Sequence, residues 1–238
     1  MKKKKKISTG KIIAYIFLAI LCFLFIVPIL WAVLSSFKNN QEVIRTGFTF
    51  FPKHWTVENF VTILSNTTSI PMLRWFFNSV VISVTHTALT VIVASLAAYG
   101  YSRLNFKGRD TLFITLILLS MIPAVVNIIP LYFIVDKFNW VDTPLSCIVP
   151  GLSGVSNIFL IRQFMFGIPK DIDEAARIDG AGHFKIYTNI MIPALKPVLT
   201  VVALFTFTTS WNDFLWPSIV FNDVQHMTVS SGLQLLQG

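Results

Sequence analysis

Between Arg74 and Arg103 the chain reads WFFNSVVISVTHTALTVIVASLAAYGYS (residues 75–102), with no Asp, Glu, Lys or Arg. A helix crosses the roughly 30 Å of bilayer hydrocarbon with about 20 apolar residues, so this stretch is long enough to span a membrane. Four more such stretches lie between charged residues, at 12–37, 111–135, 143–161 and 197–222, the last interrupted only by Asp213. The expected fold is therefore all-α and polytopic, with about five transmembrane helices. Pro28, Pro123, Pro130 and Pro150 fall inside these stretches, and membrane helices tolerate proline better than soluble ones do.

Composition agrees. The 238 residues are 54% hydrophobic and only 13% charged, against about 25% charged in an ordinary soluble domain. A water-soluble body so poor in charge would expose large apolar patches. The net charge of +8 does not point to nucleic acid. Lys2 to Lys6 form one block and most other bases flank apolar runs, with no basic groove interleaved with aromatics. Cys22 and Cys147 sit in different apolar stretches, and His54, His86, His183 and His226 are scattered. This pattern suggests no disulfide framework, no metal site and no cofactor.

The first stretch is too long for the apolar part of a cleaved signal, about 7–15 residues, and reads as an uncleaved anchor. With the N-terminus placed in the cytoplasm, the larger share of the 19 basic residues falls on the inner side, as the positive-inside rule requires. The chain then divides into a basic cytoplasmic N-terminus (1–11), a first span (12–37), an extracytoplasmic segment (38–74) and a core (75–238). The core carries a polar cytoplasmic loop at about 167–193.

That loop contains Pro169-Lys-Asp-Ile-Asp-Glu-Ala-Ala-Arg-Ile-Asp-Gly-Ala-Gly182. Asp171, Asp173 and Glu174 suit the positive end of a short helix, and Gly180 and Gly182 suit its end. Ala175 and Ala176 leave a turn with almost no side-chain bulk, where another protein's surface can approach the backbone while flanking charges set register. A solvated loop with incidental helicity is the plainer alternative. A second amphipathic stretch follows, with Phe184, Tyr187 and Ile190 before Pro193 and Pro197.

Glu174-Ala175-Ala176, then Gly180, then Ile190 and Ile192-Pro193, resembles the EAA loop of ABC importer permeases, with Ile192 where that pattern usually has Leu. Ser102-Arg103-Leu104, Phe106-Lys107-Gly108, Arg177-Ile178-Asp179-Gly180-Ala181 and Ser210-Trp-Asn-Asp-Phe-Leu-Trp-Pro217 are similar to the carbohydrate-uptake branch, the MalG-type sugar permeases. The resemblance implies a type I importer permease in a bacterial plasma membrane. Its EAA loop would dock on an ATP-hydrolysing subunit through Glu174, Ala175, Ala176, Asp179, Gly180 and Gly182. It also implies a sister permease, an ATPase pair, an external solute-binding protein and a carbohydrate substrate. The family core has six spans, so a final span beyond Gly238 is expected.

No phosphate-binding loop of the form G-x-x-x-x-G-K-[ST] occurs, nor H-E-x-x-H or G-x-S-x-G, and the chain is read as a transporter subunit rather than an enzyme. Asp213 is the one acid inside an apolar run. It is either a substrate contact or an interfacial residue flanked by Trp211 and Trp216. Asn157 and Asn212 are further pathway candidates, Asn157 with a helix–helix hydrogen bond as its plainer role. Three other readings stay open on residues alone: an ion-driven secondary transporter, an ABC permease for a non-sugar solute, and a membrane scaffold.

Overall fold

The computed structural model describes residues 9–45 and 48–236; the basic block Lys2 to Lys6 lies outside them. Among the described residues every regular element is helical. The chain divides into two compact units, Met1–Thr67 and Thr68–Gly238.

In the first unit, α1 (Thr9–Ser35) carries the expected first span. Its apolar side chains, from Ile12 to Val33, are exposed on all sides, the pattern of a helix whose surroundings are apolar. Pro28 is accommodated inside it. The short helices α2 (Asn40–Arg45) and α3 (Glu58–Ser65) follow. Two buried charges organise this segment. Lys38 Nζ donates to the Thr49 carbonyl, and the Glu42 carboxylate accepts the Lys53 N–H at 2.9 Å. Asn59 Nδ2 donates to the carbonyls of Ser36 and Lys38 at the end of the α1 turn.

The second unit is built on α4 (Met72–Arg103), 32 residues without a break and so about 48 Å long. Its buried face is mostly small, Ser79, Ser83, Thr90, Ala94, Ser95, Ala98 and Ser102, joined by Ile82 and Tyr99, with Trp75 and Arg103 at the two ends. Small residues at this spacing let neighbouring helices approach closely. Against them pack Ile158, Ile161 and Met165 of α8 (Val155–Phe166) and Val198 and Val202 of α12 (Lys196–Asn212).

The other expected spans are not continuous helices. Residues 111–135 fold as α5 (Arg109–Ser120), a 3₁₀ turn Ala124–Asn127 and α6 (Ile128–Lys137), bent by 91°. Pro123 at the bend cannot donate to the helix and drives the residue before it out of the helical region. Residues 143–161 hold only α7 (Leu145–Ile148), a turn containing Pro150, Gly151 and Gly154, and then α8, which runs on to Phe166. With 12 residues, α8 is shorter than a bilayer crossing. Residues 197–222 break at Asp213, where α12 gives way to α13 (Leu215–Val220). The polar loop folds as α9 (Asp171–Ile178), α10 (His183–Ile186), a π-helical turn Tyr187–Met191 and α11 (Ile192–Ala194), then bends 78° into α12 between Pro193 and Pro197. The 3₁₀ turn Val224–His226 and α14 (Val229–Leu235) close the described chain.

Candidate functional site

Helix α9 forms where its acids and glycines direct it. Asp171, Asp173 and Glu174 occupy the first turn and Arg177 the last, each complementing the helix dipole. Gly180 adopts φ +80°. The Ala181 N–H then reaches the Ala176 carbonyl and the Gly180 N–H the Arg177 carbonyl, both at 2.9 Å. This is a Schellman stop, which needs a left-handed residue at that position. The two faces of α9 differ. Glu174, Ala175, Arg177, Ile178, Asp179, Gly180 and Gly182 are exposed, whereas Asp173 is buried and Ala176 half-buried against the core. A Cβ built on Gly180 or Gly182 meets nothing within 4 Å. Ile178 is 87% exposed and Phe184, on the next helix, 74%.

Asp173, grouped by sequence with the helix-opening acids, turns inward to Arg103, the last residue of α4. Asp173 Oδ2 lies 3.3 Å from Arg103 Nε, and only 2% of the arginine side chain and 7% of the aspartate side chain are exposed. Arg103 Nη2 also donates to the Met165 carbonyl at 2.8 Å and the Ile168 carbonyl at 2.7 Å, so one guanidinium joins the ends of α4, α8 and α9. Sequence reasoning missed this pairing because the partners are remote in the chain. The available signal was an arginine closing an apolar helix whose buried face is otherwise small or neutral. Beside it, Tyr187 of the π turn bonds the Ser95 hydroxyl at 2.7 Å and Tyr99 Oη lies 3.3 Å from His183 Nδ1. Both contacts hold the second half of the loop to α4.

A cavity of about 460 Å³ opens near the middle of α4. Asn157 and Asp213 both line it, together with His86, Thr209, Ser210 and Trp216. Asn157 Nδ2 donates to Thr206 Oγ1 at 3.3 Å, the helix–helix bond its plainer role required. Asp213 occupies the break after α12, where its Oδ1 accepts the Trp216 N–H at 3.4 Å. The Trp216 indole is fixed in turn by the Ser146 carbonyl at 2.8 Å. His86 was not singled out by sequence. Its Nδ1 lies 2.9 Å from the Ile148 carbonyl, and a Cβ on Gly151 would sit 2.5 Å from its ring. The glycine turn before α8 thus admits the imidazole. Asn212 is elsewhere: its amide returns to the Thr208 carbonyl at 2.9 Å, outside the cavity. Trp211 packs on Phe76 and Phe207.

At the other end of α4, Trp75 is fully buried and its Nε1 donates to the Val224 carbonyl at 2.6 Å. Asn78 Nδ2 holds the carbonyls of Gln225 and Met227 at 2.8 and 2.9 Å, and Ser79 Oγ accepts the Val229 N–H. Gly232 lies so close to the Trp75 indole that a Cβ there would overlap the ring. Asp142, at φ +62°, accepts the N–H groups of Asn222 and Asp223, and its Oδ2 lies 3.1 Å from His226 Nδ1.

A long apolar helix flanked by broken apolar helices, a cavity beside it with a few polar side chains and an exposed, capped helix at its end are the features of a multi-pass membrane protein. The chain belongs to the family described as binding-protein-dependent transport system inner membrane component, which matches residues 90–236. It is 32% identical over 238 residues to the arabinooligosaccharides transport system permease protein AraQ of Bacillus subtilis (strain 168), covering 99% of this chain and 84% of that one. It is also 32% identical to the maltodextrin transport system permease protein MdxG of the same organism, over 94% of this chain and 80% of the relative. Its fold matches, with a TM-score of 0.83 and 20% identity over 98% of this chain and 82% of the other, a chain of a bacterial ABC transporter involved in the import of the acidic polysaccharide alginate. Such a chain is a transport subunit, not itself an enzyme, and one that crosses the membrane several times.

Proposed function

We propose that the chain is a permease subunit of an ATP-driven sugar importer, in which α9 docks on the ATPase and the cavity beside His86 belongs to the sugar path. The observation that carries this reading is the outward face of α9. Glu174, Ala175, Arg177, Ile178 and the two glycines stand free of this chain, and a helix with Ile178 and Phe184 so exposed has apolar surface for a partner to cover. The residues proposed for the contact are Glu174, Ala175, Ala176, Asp179, Gly180 and Gly182. The partners are a sister permease, a pair of ATP-binding subunits and an external solute-binding protein, and the N-terminus and α9 lie on the cytoplasmic side.

A sugar substrate is supported by the named relatives and by the cavity's chemistry. Asp213 and Asn157 offer hydrogen bonds to hydroxyls, and the Trp216 indole offers an apolar face. Asn212 lies outside this cavity. The test is co-purification of the tagged chain from native membranes, wild type against Glu174→Lys. The wild type is expected to retain an ATPase subunit and the variant to lose it, with uptake of arabinotriose or maltotriose falling in parallel. An ATPase held equally by both would overturn the docking assignment.

A further inference from the structure

The contacts between α9 and the rest of its unit are of two kinds. One is small and apolar, Ala176 and, just past the helix end, Ala181 lying partly buried against the core. Such surfaces slide past one another at little cost. The other is the buried pair Arg103–Asp173. Separating two buried charges leaves each without its partner in a low-dielectric site, which makes this the contact that most resists being pulled open. The pair also lies where both helix dipoles favour it, the cation at the C-terminus of α4 and the carboxylate in the first turn of α9. Because Arg103 also holds the carbonyls of Met165 and Ile168, α8 is tied to the same point. Helices α4 and α8 carry His86 and Asn157 to the cavity.

We infer that Arg103 and Asp173 are the joint through which movement of α9 is delivered to α4 and α8, and so to the cavity. They are positioning residues: neither faces the partner side of α9 nor lines the cavity. The Asp173 carboxylate grips α9 from within while Glu174, its neighbour, points outward. A push on the outer face is then carried along α4 as a rigid displacement instead of being lost as slippage of alanines over the core. The inference rests on the docking reading of α9.

The experiment uses the whole transporter, reconstituted in proteoliposomes with the ATPase, sister permease and binding protein that co-purify with the chain. It reads ATP hydrolysis per assembled complex with and without the binding protein. In Asp173→Asn the stimulation by binding protein is expected to fall about three- to tenfold, with the ATPase still bound. Asp173→Glu, which keeps the charge, is expected to restore most of it. A purely structural role would lower basal and stimulated hydrolysis together, through the amount of complex, and leave the stimulation factor unchanged; that result would overturn the inference. Should Asp173→Asn fail to assemble, the apolar pair Arg103→Met with Asp173→Leu takes its place, since such replacements usually fold. It too is expected to lose stimulation. Failure of both to assemble would assign the pair to folding alone and equally overturn the inference. The docking reading fails separately, through an ATPase that stays on the Glu174→Lys variant.

Discussion

The two ends of α4 hold their neighbours by opposite means. At the Trp75 end the grip is neutral: an indole wedged against Gly232, and amide and indole N–H groups on the carbonyls of Val224, Gln225 and Met227. At the Arg103 end it is charged, one buried ion pair and two carbonyls on a single guanidinium. A close-packed aromatic adds stability through area and shape. A buried ion pair adds little net stability, because desolvation cancels most of its attraction, but it tolerates only one pairing. On that basis the Trp75 end is expected to supply strength and the Arg103 end register.

The sharpest way to break that comparison is to measure stability at both ends. Trp75→Ala removes a fully buried indole and its bond to Val224, with an expected loss of about 3–5 kcal/mol, read as thermal unfolding in detergent. Replacing Arg103 and Asp173 together by Met and Leu is expected to stay within about 2 kcal/mol of wild type. Equal losses would mean that both ends serve strength alone.

Gly180→Asp comes next. Aspartate is among the few residues that enter the left-handed region readily, so at φ +80° and with open space around the Cβ the cost to this chain is about 1 kcal/mol. Transport is expected to fall about 30-fold or more, as when a central interface position is filled. A stability loss large enough to explain the transport loss would reduce Gly180 to a helix stop and leave the outer face of α9 without a partner.

Legibility in the sequence follows the same division. Helix α9 was readable because everything that makes it is contiguous: acids in the first turn, alanines, then the glycine that stops it. The long apolar helix α4 was readable from length alone. The breaks in the other apolar stretches were only half legible. All four prolines read as tolerated inside spans; Pro123 and Pro150 in fact fall at breaks, but Pro28 and Pro130 lie inside helices, so proline alone does not say where a membrane helix ends. The cavity was least legible, because His86, Asn157 and Asp213 come from three separate stretches and meet only through packing. Asn212, adjacent in sequence to Asp213, turned the other way for the same reason: the helix ends between them. The Arg103–Asp173 pair spans α5 to α8 in sequence, and no local pattern announces it.

That split gives a smaller test, midway between the two ends. Asp213→Asn is expected to lower sugar uptake about fivefold by removing a carboxylate from the proposed path, while Asn212→Ala leaves it within about twofold. The reverse order would move the path off the cavity and onto the exposed face of α12.

The smallest effect belongs to Asp142, near the Trp75 end. Its partial burial favours the protonated form, but the N–H groups of Asp223 and Asn222 and the neighbouring His226 outweigh this, and its pKa lies below the ordinary carboxylate value. A carboxylate with a lowered native pKa contributes stability that is present above its unfolded pKa, about 3.9, and is lost as pH falls through the native value. Asp142→Asn keeps an acceptor oxygen for the two N–H groups and suits φ +62° at least as well, so what disappears is the charge and the carboxylate oxygen that faces His226. Above about pH 5 the wild type is expected to be the more stable by a few tenths of a kcal/mol, the ordinary scale for a partly exposed pair. Below about pH 4 that difference should close. If it grows instead, the Asp142–His226 contact is not what holds the segment 220–226, and the grip at this end rests on Trp75 and Asn78 alone. That outcome would leave the neutral end of α4 with no charged component, and the contrast with the Arg103 end would be complete.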